Sequence, residues 1–385
     1  MMWIVFLLLV LIFAIAMFIY LINRFTKFSL INKLSGNNAK KTKFFSACIV
    51  LLIVILSIII FDSLNTAIIM IHLGIIWLIC DAFSAIVTFS KNRLLKLNTT
   101  DATTKNCSLY CAGIAAITIT AIYLCFGWYL AHHVSPTYYT VTTDKTVAPL
   151  RIVQFADSHI GTTFHADGFA KNIEKLQAAN PDIVLITGDF VDDSTSKEDM
   201  LESCKALGTL NTKYGVYYSF GNHDKGYYGS EHRGYSGDDL IAELSKNNVI
   251  VLQDEIVELP NGYSIIGRQD KSEEQFSKRA TMNELAALVD MNNFSIVLDH
   301  QPNDYANEKA SKVDLVLSGH THGGQLIPIL YVGEWIGAND KTYGYEKQDD
   351  TNFIVTSGIS DWAVKFKTGC KAEYVIVDIT PTPQP

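Results

Sequence analysis

Hydrophobic residues run in long blocks over the first third of the chain and in short, interrupted runs after it. From Met1 to Ile22 no side chain is charged, and about 20 apolar residues suffice to cross a bilayer core. Residues 44–61, 67–89 and 108–134 repeat the pattern, so the blocks predict four membrane helices within residues 1–134. The last block ends in Trp128, Tyr129, His132 and His133, rings suited to the membrane–water interface. The first block lacks the basic start and small-residue cleavage site of a signal peptide, so it is expected to be retained. His72 and Asp81 interrupt the third block and are costly in lipid. Nine residues apart, they stand about half a turn out of phase, which favours packing or interfacial roles over a shared site.

Residues 135–149 read as a polar linker. Beyond them the period changes. Apolar runs at 150–156, 182–187, 216–220, 249–259, 263–266, 294–298, 313–317, 353–356 and 374–379 read as about nine strands. Helical stretches intervene at 166–179, from Ser196 to about 210, at 238–246 and after Thr281. Ser196 with Asp199, and Thr281 with Glu284, have capping-box spacing. Strands alternating with helices mark an α/β domain, and this number fits an αββα two-sheet sandwich over residues 150–380.

Charge sets an expected orientation. Arg24, Lys27, Lys33, Lys40, Lys41 and Lys43 lie between the first two blocks, and Lys91, Arg93, Lys96 and Lys105 between the last two. The connection 62–66 has no basic residue. Basic loops stay cytoplasmic, so with four spans the chain is a multi-pass protein of the cell membrane with its later domain outside the cytoplasm. The net charge of −8 hides a basic first part and an acidic later domain, in which residues 150–385 carry 20 Lys/Arg against 35 Asp/Glu. Without Lys/Arg clusters that domain disfavours a nucleic-acid partner. Of seven cysteines only Cys204 and Cys370 fall in the soluble half, and no C-x-x-C pair suggests a zinc ribbon. Two lone thiols are expected there, with a Cys204–Cys370 bridge as the alternative.

The polar residues with chemistry follow the strands: Asp157-Ser158-His159, Gly188-Asp189-Phe190-Val191-Asp192, Gly221-Asn222-His223-Asp224, His300, and Gly319-His320-Thr321-His322. Ligands bind at the carboxyl ends of strands in open α/β sheets, so five clusters at five strand ends can converge. An Asp-x-His or a lone histidine means little singly. The whole series, in order and always after an apolar strand, is hard to obtain by chance. Asp, Asn and neutral His offer hard oxygen and borderline nitrogen, a set that suits Zn, Mn or Fe. Seven such donors are too many for one ion and fit two divalent ions bridged by one carboxylate. Two ions a few Å apart clamp a phosphoryl group and activate water.

These motifs resemble the calcineurin-like metallophosphoesterase superfamily (D-x-H, G-D-x-x-D, G-N-H-D/E, H, G-H-x-H), and Gly319-His320-Thr321-His322-Gly323-Gly324-Gln325 resembles its membrane-associated bacterial branch. The resemblance implies one metal on Asp157, His159, Asp189 and His322. A second is implied on Asp189, Asn222, His300 and His320. It places His223 near the scissile phosphate, oriented by Asp224, with Asp192 behind the ligands. Protein phosphatases of the superfamily carry Arg-Gly after the second motif, where this chain has Asp192-Asp193-Ser194. Residues 365–370 replace the Pro-rich, Arg-containing stretch of the membrane branch. Arg233, Arg268 and Lys365 are candidate phosphate grips, since arginine offers a planar fork of donors, and Lys225–Tyr235 a candidate aromatic rim. The expected activity is hydrolysis of a phosphodiester or pyrophosphate, lipid-linked or in the envelope. The alternatives are a phosphomonoesterase for small soluble phosphates and a non-catalytic membrane receptor.

Overall fold

The structure, a computed structural model, describes the backbone of residues 2–97 and 110–382. The side chains of residues 1–13, 92 and 94–97 are outside the described set, as are Cys107, Lys105 and the expected span start at Ser108. Two compact units divide at Phe126–Gly127.

The first unit is helical: α1 (Met2–Phe25), α2 (Ser29–Leu34), α3 (Ala39–Ile60), α4 (Ser63–Leu97) and most of α5 (Cys111–His132). Among the described residues three helices are long and apolar enough to cross a membrane, at Ala39–Ile60, Ser63–Lys91 and Cys111–His132. The pattern predicts four. The fourth expected span falls on α1, helical over Met2–Phe25, whose side chains are described from Ala14 on; Ala14–Phe25 is apolar but too short by itself to cross. The tight connection before α4 is closed by Asp62, whose carboxylate accepts from the Asn65 backbone (2.8 Å) and side chain (2.7 Å). Asp81 pairs with Arg24 at 2.7 Å and accepts from Tyr20 and Tyr110, each at 2.9 Å. His72 bonds its own helix at Ile68 O. Both polar residues are therefore structural among apolar helices, where an unpaired charge would be costly.

Among the described residues the second unit holds twelve strands: β1 (Ser135–Thr143), β2 (Leu150–Phe155), β3 (Ile183–Thr187), β4 (Val216–Ser219), β5 (Val249–Leu252), β6 (Glu255–Leu259), β7 (Tyr263–Gly267), β8 (Phe294–Leu298), β9 (Leu315–Ser318), β10 (Gly344–Gln348), β11 (Thr351–Val355) and β12 (Glu373–Pro381). They form two six-stranded mixed sheets, ordered β1-β12-β2-β3-β4-β5 and β10-β11-β9-β8-β7-β6. Strand period 2 assigns the layers. In β3, Ile183 and Leu185 enter the core between the sheets with Ile265, Ile296 and Leu317. Val184 and Ile186 face outward, onto Phe169, Ile173 and Leu176 of α6 (Ala166–Ala178) and Met200 and Cys204 of α7 (Lys197–Leu207). On the far side, Val297 and Val316 pack against Met282, Leu285 and Tyr305. Both faces of each sheet are covered, which is why the central strands read as continuous apolar runs.

The stretch 135–149 departs most from expectation. It is largely strand: β1 pairs in parallel with β12 over nine residues, from Ser135 opposite Glu373 to Thr143 opposite Pro381. Thr-Tyr-Tyr-Thr-Val-Thr-Thr is polar by count, yet β-branched and aromatic residues fit a half-covered edge. The last turn of α5 lies in this unit and is bonded to it, Gly127 O accepting from Lys367 N (2.9 Å) and Leu130 O from Ala372 N (2.8 Å). Residues 249–259 also differ: one expected strand is two, in different sheets. The break falls at Asp254 (φ 58°), whose carboxylate accepts from Gln269 N (2.9 Å) and Ala280 N (2.8 Å). Cys204 and Cys370 are both free and buried.

Candidate metal centre

Parallel strands from both sheets deliver the polar residues: β2 to Asp157 and His159, β3 to Asp189, β4 to Asn222 and His223, β8 to His300, β9 to His320 and His322. The backbone is left-handed at Asp157 (φ 54°), His159 (37°), Asp189 (51°), His320 (71°) and His322 (48°). Such a conformation costs a non-glycine residue on the order of 1–3 kcal/mol and clusters where function demands it. Gly188 (φ 76°) lets two of these loops touch: a Cβ there would meet Gly221 Cα at 2.6 Å and His300 Nδ1 at 2.8 Å.

Two trios of donors result. Asp157, His159 and His322 offer ligand atoms within 4.8 Å of one another, and so do Asp189, His300 and His320. Asp189 faces both: its Oδ2 is 3.6 Å from His159 Nε2 and 3.1 Å from His300 Nε2, while Oδ1 accepts from His223 N (2.8 Å). Asn222 Oδ1 is 2.8 Å from His320 Nδ1. The outer ring nitrogens are held from behind. His300 Nδ1 donates to Thr187 O (2.8 Å), and His159 Nδ1 bonds Asp192 (3.2 Å). Their inner nitrogens, buried and aimed at Asp189, have no hydrogen-bond partner among the described residues.

Burial would push the Asp189 carboxyl up, but the His300 and His159 imidazoles prevail and hold it well below the usual carboxylate range. Burial, with Asp189 beside it, carries Asp157 up to about 6 despite His300. Burial and the His300 charge lower His320 to about 4, and burial with His159 and Lys367 lowers His322 further from its ordinary value. Burial opposes charge on His300 too, yet Asp189 raises its pKa well above the imidazole norm. His320 and His322 are thus held neutral, as metal binding requires, whereas His159 and His300 are raised by the neighbouring carboxylates and would release their protons on binding a cation. Buried nitrogens lacking partners and an acid between two donor trios fit a pair of divalent cations.

Several expected site residues stand elsewhere or act otherwise. Asp224 does not touch the His223 ring as an orienting group. Its buried carboxylate accepts four backbone N–H groups, from Asp189, Phe190, Val191 and Gly221 at 2.7–3.1 Å, and so ties two motif loops together. The His223 ring is set instead by neighbouring rings: Tyr227 edge-on at 5.0 Å, His159 at 5.1 Å and Trp362 at 5.5 Å. Arg268 is no free phosphate grip, being buried with Nη1 at 2.7 Å from Asp299 and Asp304 and 3.7 Å from Glu308. Arg233 is buried too, donating to Asp224 O (2.8 Å) and Tyr235 O (3.3 Å) over the Tyr235 ring. Lys365 sits half-buried in the C-terminal loop.

Sequence reasoning passed over Lys367 and Asp361. Lys367 Nζ is fully buried, 2.9 Å from Asp361 Oδ1, and donates to Ser357 O (2.6 Å). Asp361 Oδ1 is 3.9 Å from His322 Nδ1, and Cys370 Sγ donates to His322 O at 3.2 Å. The available signal was a sixth strand end, β11 running into Ser357-Gly358-Ile359-Ser360-Asp361.

This fold and donor set define a phosphoesterase class, and comparison with known proteins agrees. The calcineurin-like phosphoesterase family profile matches residues 150–324. A metallophosphoesterase of Aquifex aeolicus is 32% identical over 197 residues, 50% of this chain and 71% of that protein. One of Campylobacter jejuni is 30% identical over 237 residues, 60% of this chain and 59% of that protein. A zebrafish transmembrane protein with metallophosphoesterase domain is 26% identical over 244 residues, 58% of this chain and 52% of that protein. The chain thus spans about three fifths of its Campylobacter relative. It belongs to the calcineurin-like phosphoesterase family.

Proposed function

We propose that the chain hydrolyses phosphoester bonds at a two-metal centre. Asp157, His159, Asp189 and His322 would hold one ion, and Asp189, Asn222, His300 and His320 the other. The observation that carries this is the pair of donor trios facing one carboxylate, Asp189. Bound Mn, Zn or Fe supplies Lewis-acid stabilisation of phosphoryl charge and a nucleophile from water. The protein's own share is positioning. Asp192 and Thr187 O fix the imidazoles that face Asp189, and Asp224 fixes the loop that carries it. His223, packed among Tyr227, Trp362 and His159 beside the trios, is assigned to the leaving-group oxygen.

The proposed substrate is a phosphodiester or pyrophosphate at a membrane, lipid-linked or in the envelope. Three apolar helices on the same chain support that reading, and α1 would add a fourth span. With four spans the ten basic loop residues turn the catalytic unit away from the cytoplasm.

Elemental analysis and turnover of the full chain in detergent test the proposal. Two metals per chain are expected, with EDTA-sensitive hydrolysis of bis-p-nitrophenyl phosphate exceeding that of p-nitrophenyl phosphate. Asp189→Asn should release or scramble both metals. A chain without metal or hydrolysis under Mn, Zn and Fe, or an Asp189→Asn variant with two tight metals and normal turnover, overturns it. Faster monoester cleavage would reverse the substrate class alone.

A further inference from the structure

Directly after the last candidate ligands the chain turns apolar and outward. Between Leu326 and Ala338 the only charged residue is Glu334, and its carboxylate accepts from Thr342 N at 2.6 Å rather than serving as an unpaired surface charge. Ile327, Ile329, Tyr331, Val332, Trp335 and Ile336 are 45, 55, 50, 38, 72 and 73% exposed. Scattered exposed apolar residues are ordinary, but a contiguous group marks an interaction surface.

The backbone under this group satisfies itself in short turns. Ile329 N bonds Leu326 O (2.9 Å), Val332 N bonds Ile329 O (3.2 Å), Trp335 N bonds Tyr331 O (3.0 Å) and Ile336 N bonds Val332 O (3.1 Å). Closed turns are what a low-polarity surrounding requires, since it offers no water to stray N–H and C=O groups. Tryptophan and tyrosine are the side chains favoured at headgroup depth.

What covers the patch follows from its attachment. Its underside is bonded to residues 367–369: Ile327 N donates to Thr368 Oγ1 (2.9 Å), Thr368 N to Gln325 O (2.8 Å), and Leu330 fills the place a Gly369 side chain would need. The same stretch is bonded to the last turn of α5 through Lys367 N and Gly127 O (2.9 Å), where a Cβ on Gly127 would meet Thr368 Cγ2 at 2.8 Å. Helix α5 is a candidate membrane span, and Trp128 and Tyr129 stand about half exposed on that turn. The apolar segment is thus fastened to the end of a helix that can cross the bilayer.

We infer that residues 327–336 form a platform that seats in the headgroup layer of the bilayer crossed by α5. This surface begins five residues beyond His322. On the phosphoesterase reading above, from which this consequence alone follows, the platform holds the site against the membrane and restricts natural substrates to phosphoesters carried at the lipid surface.

The full chain in phosphatidylcholine/phosphatidylglycerol vesicles provides the test. Single cysteines replace Ile329, Trp335 or, as a reference, Leu288, which is 73% exposed elsewhere on the domain. Cys48, Cys80, Cys107, Cys111 and Cys125 become alanine, while the buried Cys204 and Cys370 stay. Each is labelled with an environment-sensitive fluorophore after its melting temperature is matched to the parent's. Labels at 329 and 335 should lose most of their emission to doxyl-labelled lipid and little to aqueous iodide, with the reverse at 288. Iodide quenching at all three overturns the inference. So does shielding from both quenchers at 329 and 335, which would mean a second copy of the chain covers the patch. Neither readout depends on catalysis, so failure of the phosphoesterase proposal would show separately in the nitrophenyl phosphate assays.

Discussion

Replacing Lys367 by methionine keeps the side-chain volume near constant and removes one buried charge. Lys367 is 0% exposed and Asp361 1%. Burial alone would discharge the ammonium, but Asp361 at 2.9 Å overcomes it and keeps the lysine pKa above its ordinary value. The variant leaves the Asp361 carboxylate uncompensated in an apolar setting and removes the donor to Ser357 O. Breaking a buried pair from one side costs about 3–5 kcal/mol. A domain of this size loses about 2–4 °C of melting temperature per kcal/mol, so a drop of roughly 6–20 °C is expected. The removal should also reach the site, because Asp361 stands behind the His322 ring and residues 357–370 brace the His322 carbonyl. Metal content should therefore fall first at the Asp157–His159–His322 trio, from two ions per chain toward one. Differential scanning fluorimetry in detergent with and without Mn, and elemental analysis of the same samples, read both effects. The double variant Lys367→Met/Asp361→Leu removes the orphaned charge and should regain most of the melting temperature, since apolar replacement of a whole buried pair is often neutral. A single variant that melts within about 2 °C of the parent and keeps both metals would refute the reasoning.

Three further outcomes follow from the geometry. His223→Ala should retain both metals yet lower turnover roughly 10²–10⁴-fold, with a smaller loss for leaving groups that need no proton; metal loss in that variant would make His223 a ligand instead. Gly188→Ala forces a Cβ toward Gly221 and His300 at a left-handed φ, and strain with overpacking should cost about 3 kcal/mol; an unchanged melting curve would refute the close approach. The exposed His165 bonds Asp199 at 2.8 Å, and that bond and charge raise its pKa above the imidazole norm. A raised folded pKa means its stabilisation is complete below about pH 6.5 and fades as pH rises through the folded value. His165→Ala should therefore melt below the parent at about pH 5.5 and level with it at about pH 9, and a deficit that grows with pH would refute the pairing.

Much of the architecture was legible because its signals are local. An apolar block or a strand run needs only neighbours in the chain, and so do the capping pair Thr281/Glu284, which forms both of its bonds, and the glycines at the turns. The gathering of five polar clusters could be anticipated because parallel strands send their carboxyl ends to one edge. Partner choice across long separations is a different matter. Arg268 lies in the same sequence neighbourhood whether it faces a phosphate or Asp299 and Asp304; only the packing of residues 299–308 beside β7 decides. Asp224 follows His223 in the chain, yet its carboxylate turns to backbone amides of the loop after β3, thirty-odd residues away. The Thr-rich stretch 135–143 is polar by count and becomes an edge strand only because β12, more than two hundred residues later, offers a free ladder. Lys367 looks like a surface lysine until burial beside Asp361 makes it otherwise. The sequence by itself thus determined the apolar helices, the strand series and the donor types. The tertiary structure decided which charges face the site and which are neutralised, because that depends on desolvation and on contacts between segments that local pattern does not encode.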